Sequence, residues 1–113
     1  MATAEQNLKR LDEMHASCVY AIGPAEERYP IKLSVSSAVL KRYRALQSAS
    51  PVPLDVFGVM RCPFAYEARI HAALAEHRAH GDWFRRTPDT MQVVRILAGS
   101  ELRALDEWLR GRV

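Results

Sequence analysis

The stretch Cys18-Val19-Tyr20-Ala21-Ile22-Gly23, followed after a short polar connection by Ile31-Lys32-Leu33-Ser34-Val35-Ser36, decides the fold. Val19, Tyr20 and Ile22 favour a strand over residues 16–22, which Gly23-Pro24 terminates and Pro30 separates from the next run. In the second run Ile31, Leu33 and Val35 alternate with Lys32, Ser34 and Ser36. A period of two puts the apolar set on one face and the polar set on the other. Two such runs joined by a polar loop pair most simply as an antiparallel hairpin.

Working outward, Leu8, Leu11 and Met14 with charges between them predict a short amphipathic helix over 4–14. Ser36 or Ser37 is placed to cap a helix over about 38–48. Its apolar arc is Val39, Leu40, Tyr43 and Leu46, with Arg42 at the edge and Lys41 and Arg44 farther toward solvent. Ser50-Pro51-Val52-Pro53 breaks that helix, and Leu54 to Met60 reads as a third strand with Gly58 at a bulge. Pro63 suits a first helical position, so a helix is expected over about 64–79. Glu67, His71 and Arg78 would share one stripe of it, beside an inward arc that includes Tyr66, Ile70 and Leu74. Thr87-Pro88-Asp89 starts another helix through Met91 to Ala98, and Ser100 opens a last one carrying Leu105, Trp108 and Leu109.

The expected architecture is α+β, in the order α-β-β-α-β-α-α-α: a small three-stranded, mainly antiparallel sheet flanked by helices. With 113 residues the chain reads as a single domain. Its core would run over about 18–85, with an amino-terminal helix at 4–14 and a helical extension at about 88–110. A 49% hydrophobic and 26% charged composition is that of a soluble globular protein. No apolar run is long enough for a membrane span, and the first residues lack a secretory pattern. Cys18 and Cys62 have no metal-ligand spacing and read as reduced thiols, which fits a cytoplasmic location. The net charge of +3 is mild, but Lys41, Arg42 and Arg44 crowd one helical turn, and Arg85-Arg86 follow Gly81-Asp82-Trp83-Phe84.

These pieces, taken in order, resemble a small GIY-YIG endonuclease domain. The branch they most resemble has strands reading V-Y-x-I-G and V-K-I-G-I-S, a helix arginine, E-x-x-x-H, and a closing R-x-x-G-E-W-F. The resemblance covers residues 18 to about 85 and implies a Mg²⁺-dependent (or Mn²⁺-dependent) one-metal hydrolysis of DNA, of phage or mobile-element kind. It implies Tyr20 near the attacking water as base or hydrogen-bond partner, and Lys32 and Arg42 on the phosphate. Glu67 would be the metal-holding carboxylate, with His71 in support. Lys41, Arg44, Arg85 and Arg86 are the candidate phosphate contacts along the strand. Arg78, Gly81, Asp82, Trp83 and Phe84 match the closing motif and are assigned to structure, with Asp82 pairing an arginine and Trp83 and Phe84 anchoring the core.

Ser34 stands where the second motif has glycine. Its hydroxymethyl occupies space that glycine leaves open. The alternative reading is therefore a degenerate module that keeps the fold and binds nucleic acid or a protein partner without cutting. So small a chain has little room for a sequence-reading module, so specificity would be low or be supplied by a dimer or a partner protein.

Overall fold

The computed structural model describes residues 3–112. Five helices and five strands follow one another: α1 (Ala4–Glu13), β1 (Cys18–Pro24), β2 (Ile31–Ser36), α2 (Val39–Ala49), β3 (Leu54–Arg61), α3 (Tyr66–Ala73), β4 (Arg78–His80), β5 (Trp83–Phe84), α4 (Pro88–Gly99) and α5 (Leu102–Arg110). The hairpin forms as its alternation dictates, with Tyr20 opposite Ser34 and Ile22 opposite Lys32. The sheet order is β3-β1-β2-β5-β4, antiparallel at every pairing. The central strand β1 is buried along its whole length because both of its faces are covered.

One face carries Val19, Ala21 and Leu33 against α3, α4 and α5, where Ile70, Leu97 and Leu105 are buried. The other carries Cys18, Tyr20 and Ile22 against Leu8 of α1 and Val39 and Leu40 of α2. Cys18 lies in this second cluster and Cys62 in the first, and burial pushes both thiols up, Cys62 to about 11.

The expected count of three strands is corrected to five. Residues 78–80 and 83–84 are strands, not the end of a helix, and Gly81 turns between them at φ 53°. The helix expected over 64–79 stops at Ala73, followed by a 3-10 turn at Ala75–His77. Phe84, fully buried, must reach its partner Ile31 on β2, and the chain leaves the helix to deliver it. Arg78 consequently sits on β4 with its guanidinium 5.5 Å from the Phe84 ring, off the stripe shared by Glu67 and His71.

Capping differs as well. The α2 amino terminus has no side-chain cap of its own; the Asp12 carboxylate on α1 accepts from the amides of Leu40 (3.1 Å) and Lys41 (3.2 Å). Those amides are among the orphan donors of a helix start, and an acidic side chain there also favours the helix dipole. Ser36 Oγ accepts only from the Ala38 amide, one residue earlier. Ser100 does not begin α5; it closes α4 in the left-handed region at φ 54°. Thr87 does cap α4, accepting from the Thr90 amide.

The β3 bulge falls beside Gly58. Ala21 pairs with Gly58 and Ile22 with Val56, leaving Phe57 as the extra residue. The glycine is required by packing: a Cβ there would lie 2.8 Å from the Ala98 amide nitrogen and 3.0 Å from Leu97 Cβ. Gly58→Ala should therefore cost about 1–3 kcal/mol of stability by prising α4 from the sheet, measured by urea denaturation. Both thiols should be inert to a disulfide reagent at pH 8 in the folded protein and react fully once it is denatured.

Candidate functional site

The β2 edge explains where a site can form. β5 pairs with β2 through Ile31–Phe84 and Lys32–Trp83, and the Leu33 amide donates to Asp82 O at 2.9 Å. Beyond that point the ladder stops, and the Leu33 carbonyl needs another donor. His71 Nε2 supplies it at 2.7 Å. A carbonyl can only accept, so Nε2 carries the proton and Nδ1 faces outward. There Nδ1 lies 4.0 Å from Asp82 Oδ1.

One turn earlier on α3, Glu67 accepts a 2.8 Å hydrogen bond from Ser34 Oγ. The second Asp82 oxygen pairs with Lys32 Nζ at 3.3 Å, and that ammonium lies 5.7 Å from the centre of the Trp83 ring. Asp82 thus pairs with a lysine, where an arginine was expected. Ligand atoms of Glu67, His71 and Asp82 all lie within 4.8 Å of one another, each group half-buried. The two carboxylates are the donor type that Mg²⁺ and Mn²⁺ take, and His71 Nδ1 faces the same space.

Tyr20 is buried, at 1% exposure. Burial pushes its phenol up from the usual value, with the Ser34 contact and the Arg42 charge acting in the opposite direction. Ser34 donates its one proton to Glu67. Arg42 lies near enough for its charge to act on the phenol, is exposed, and takes part in no ion pair among the described residues.

The structure therefore brings Tyr20, Lys32, Ser34, Arg42, Glu67, His71 and Asp82 to one side of the sheet edge. The remaining cations are differently disposed. Lys41 is exposed, and Arg44 is paired with Glu5. Arg85 donates to the carbonyls of Arg78 and Glu76. Arg86 donates to the carbonyls of Tyr29 and Pro24, lies 5.0 Å from the Phe57 ring, and has its basicity lowered by burial. It braces the connection between β1 and β2. Trp83 is half-buried beside Lys32, unlike the fully buried Phe84.

Asp82 is the site residue whose role sequence reasoning missed. Its position depends on a two-residue strand, too short to show any alternation. The Gly-Asp turn directly before an aromatic pair was the one available signal.

A raised phenol pKa ties proton binding to folding. The native state holds the Tyr20 proton more tightly, so its contribution is complete below pH about 10 and lost as pH rises through the higher native value. Tyr20→Phe should flatten the alkaline loss of stability above pH about 10 relative to wild type, measured by denaturant titration at several pH values.

A family model described as T5orf172 domain matches residues 17–110, which takes in α4 and α5 and leaves α1 outside. No curated protein and no solved structure matches the chain. Over that span the chain belongs to the T5orf172 domain family, a nuclease-related group.

Proposed function

We propose that this domain is a GIY-YIG-type endonuclease that hydrolyses DNA phosphodiester bonds with one Mg²⁺ or Mn²⁺. The observation that carries the reading is the convergence of Glu67, His71 and Asp82 within 4.8 Å at a sheet edge flanked by Lys32 and Arg42. Membership of a nuclease-related family supports the same class of chemistry.

Glu67 and Asp82 would hold the cation, which supplies charge stabilisation to the phosphate and leaving oxygen when bound. Arg42 and Lys32 neutralise the non-bridging phosphate oxygens; a guanidinium can grip two at once. His71 Nδ1, oriented because Nε2 is fixed on Leu33 O, takes the proton of the attacking water. The water oxygen bonds to phosphorus as the bond to the leaving oxygen breaks, and that oxygen takes a proton from solvent. Tyr20 keeps its proton at neutral pH, and Ser34 aims Glu67 through its hydrogen bond.

A second reading, a module that binds without cutting, draws on one observation. Ser34 occupies the motif glycine's position and engages a Glu67 oxygen.

Purified protein incubated with supercoiled and branched DNA should cut with Mg²⁺ and not with chelator. Glu67→Gln and Arg42→Ala should each lower cleavage by about 10²-fold or more without loss of folding. Ser34→Gly should lower it by about tenfold, because a hydrogen bond to a charged group is worth ~1.5–3 kcal/mol. A rise on Ser34→Gly would mean that the hydroxymethyl crowds the site. Wild-type protein that binds DNA and never cuts it would favour the second reading.

A further inference from the structure

Beside the candidate site runs a groove of about 350 Å³, lined by Pro24, Tyr29, Leu46, Ala49, Pro51 and Trp83 among others. Its volume lies within the ~300–1,000 Å³ usual for small-ligand pockets. Leu46 and Ala49 lie four and seven residues after Arg42 on α2, so the three share one stripe of that helix. Trp83, on the opposite wall, carries the Lys32 ammonium at 5.7 Å. The groove therefore opens at one end onto the two cations assigned to the phosphate.

Its walls are preformed. Tyr43 donates to Leu54 O at 2.9 Å, Gln47 bridges the Val52 carbonyl and the Leu54 amide, and Ser50 Oγ bonds Val52 O at 2.7 Å. At the rim Tyr29 is 36% exposed and has the Arg28 guanidinium, paired with Glu26 at 3.0 Å, 4.8 Å from its ring centre.

From this arrangement we propose that the groove takes one unpaired nucleobase from the strand whose phosphate lies at Arg42 and Lys32. The inference rests on the nucleic-acid reading above and specifies its substrate as locally single-stranded or unpaired DNA. Apolar walls that include Tyr29 and Trp83 stack any base, because every base has a π face, and Arg42 and Lys32 at one end match the adjoining phosphate. A groove so poor in directed polar groups confers little base preference. In an intact duplex the base would remain paired and out of reach, so flaps, gaps or branches meet the groove without an unpairing cost.

The test uses Glu67→Gln protein in Mg²⁺-free buffer, so that binding is read without cleavage. A short oligo-dT is compared with an oligonucleotide of the same length carrying abasic residues, by fluorescence anisotropy. Oligo-dT should bind about fivefold tighter or more, and should quench tryptophan emission in a way that Trp83→Phe removes while keeping most of the affinity. Ala49→Leu, which fills the groove at an exposed helix position, should erase the difference between the two strands. Equal affinity for both strands, or a difference that survives Ala49→Leu, would overturn the groove assignment. Metal-dependent cutting of intact duplex with no such difference would overturn the groove and leave the nuclease reading standing. Base-dependent binding by a wild-type protein that never cuts would do the reverse.

Discussion

A single unpaired backbone group organises the functional end of this molecule. β5 is only two residues long, so it satisfies β2 as far as Leu33 and no farther. The Leu33 carbonyl is left at the end of the ladder, and His71 of α3 answers it. That hydrogen bond fixes which imidazole nitrogen carries the proton, and it docks α3 along the sheet edge at the height of Ser34 and Glu67. A longer β5 would have paired this edge and closed the space. An isolated buried carbonyl would have cost on the order of 1–3 kcal/mol, so the histidine contact is structural and chemical at once.

The same edge explains how charge is sorted. Lys32 and Asp82 face one another across the β2–β5 pairing, and Asp82 also faces His71. Arg42 is left without an ion pair among the described residues, while Arg44 is paired with Glu5. Arg86 is spent on carbonyls of the β1–β2 connection, and a Cβ on Gly23 would come 3.1 Å from its Nη2. A cluster of basic residues in sequence is thus not a cluster of available cations. Arg42 on α2 is exposed and unpaired among the described residues, and Lys32 on β2 is held by Asp82.

How far the sequence reveals this depends on the length of each element. The β1–β2 hairpin was legible because six alternating residues specify a face, and α4 because Thr87-Pro88 is an unambiguous start. β4 and β5 were not, since three and two residues carry no period, and the apolar spacing of Ile70, Leu74 and His77 equally suits a helix. The cap on α2 was hidden for another reason: Asp12 lies far away in sequence, and only tertiary packing brings it there. Within the site, Glu67, His71 and Lys32 were named from motif residues, and their approach to one another follows from the β2 register and the first turns of α3. Asp82 depended on the unread hairpin. Tyr20 was legible in position but not in depth, because alternation shows which face a strand residue takes and not how thickly α1 and α2 cover it.

The proposal's central claim is that Glu67 and Asp82 hold one cation at the end of the β2–β5 ladder, with His71 Nδ1 facing it as the base. Titrating isotope-labelled protein with Mn²⁺ and following amide signals by nuclear magnetic resonance tests it most directly. Paramagnetic broadening should appear first at Ser34, Glu67, His71 and Asp82 and should weaken sharply in Glu67→Gln. Broadening that begins elsewhere, for example at exposed Glu26 and Glu27, while leaving those four signals unchanged, would contradict the account.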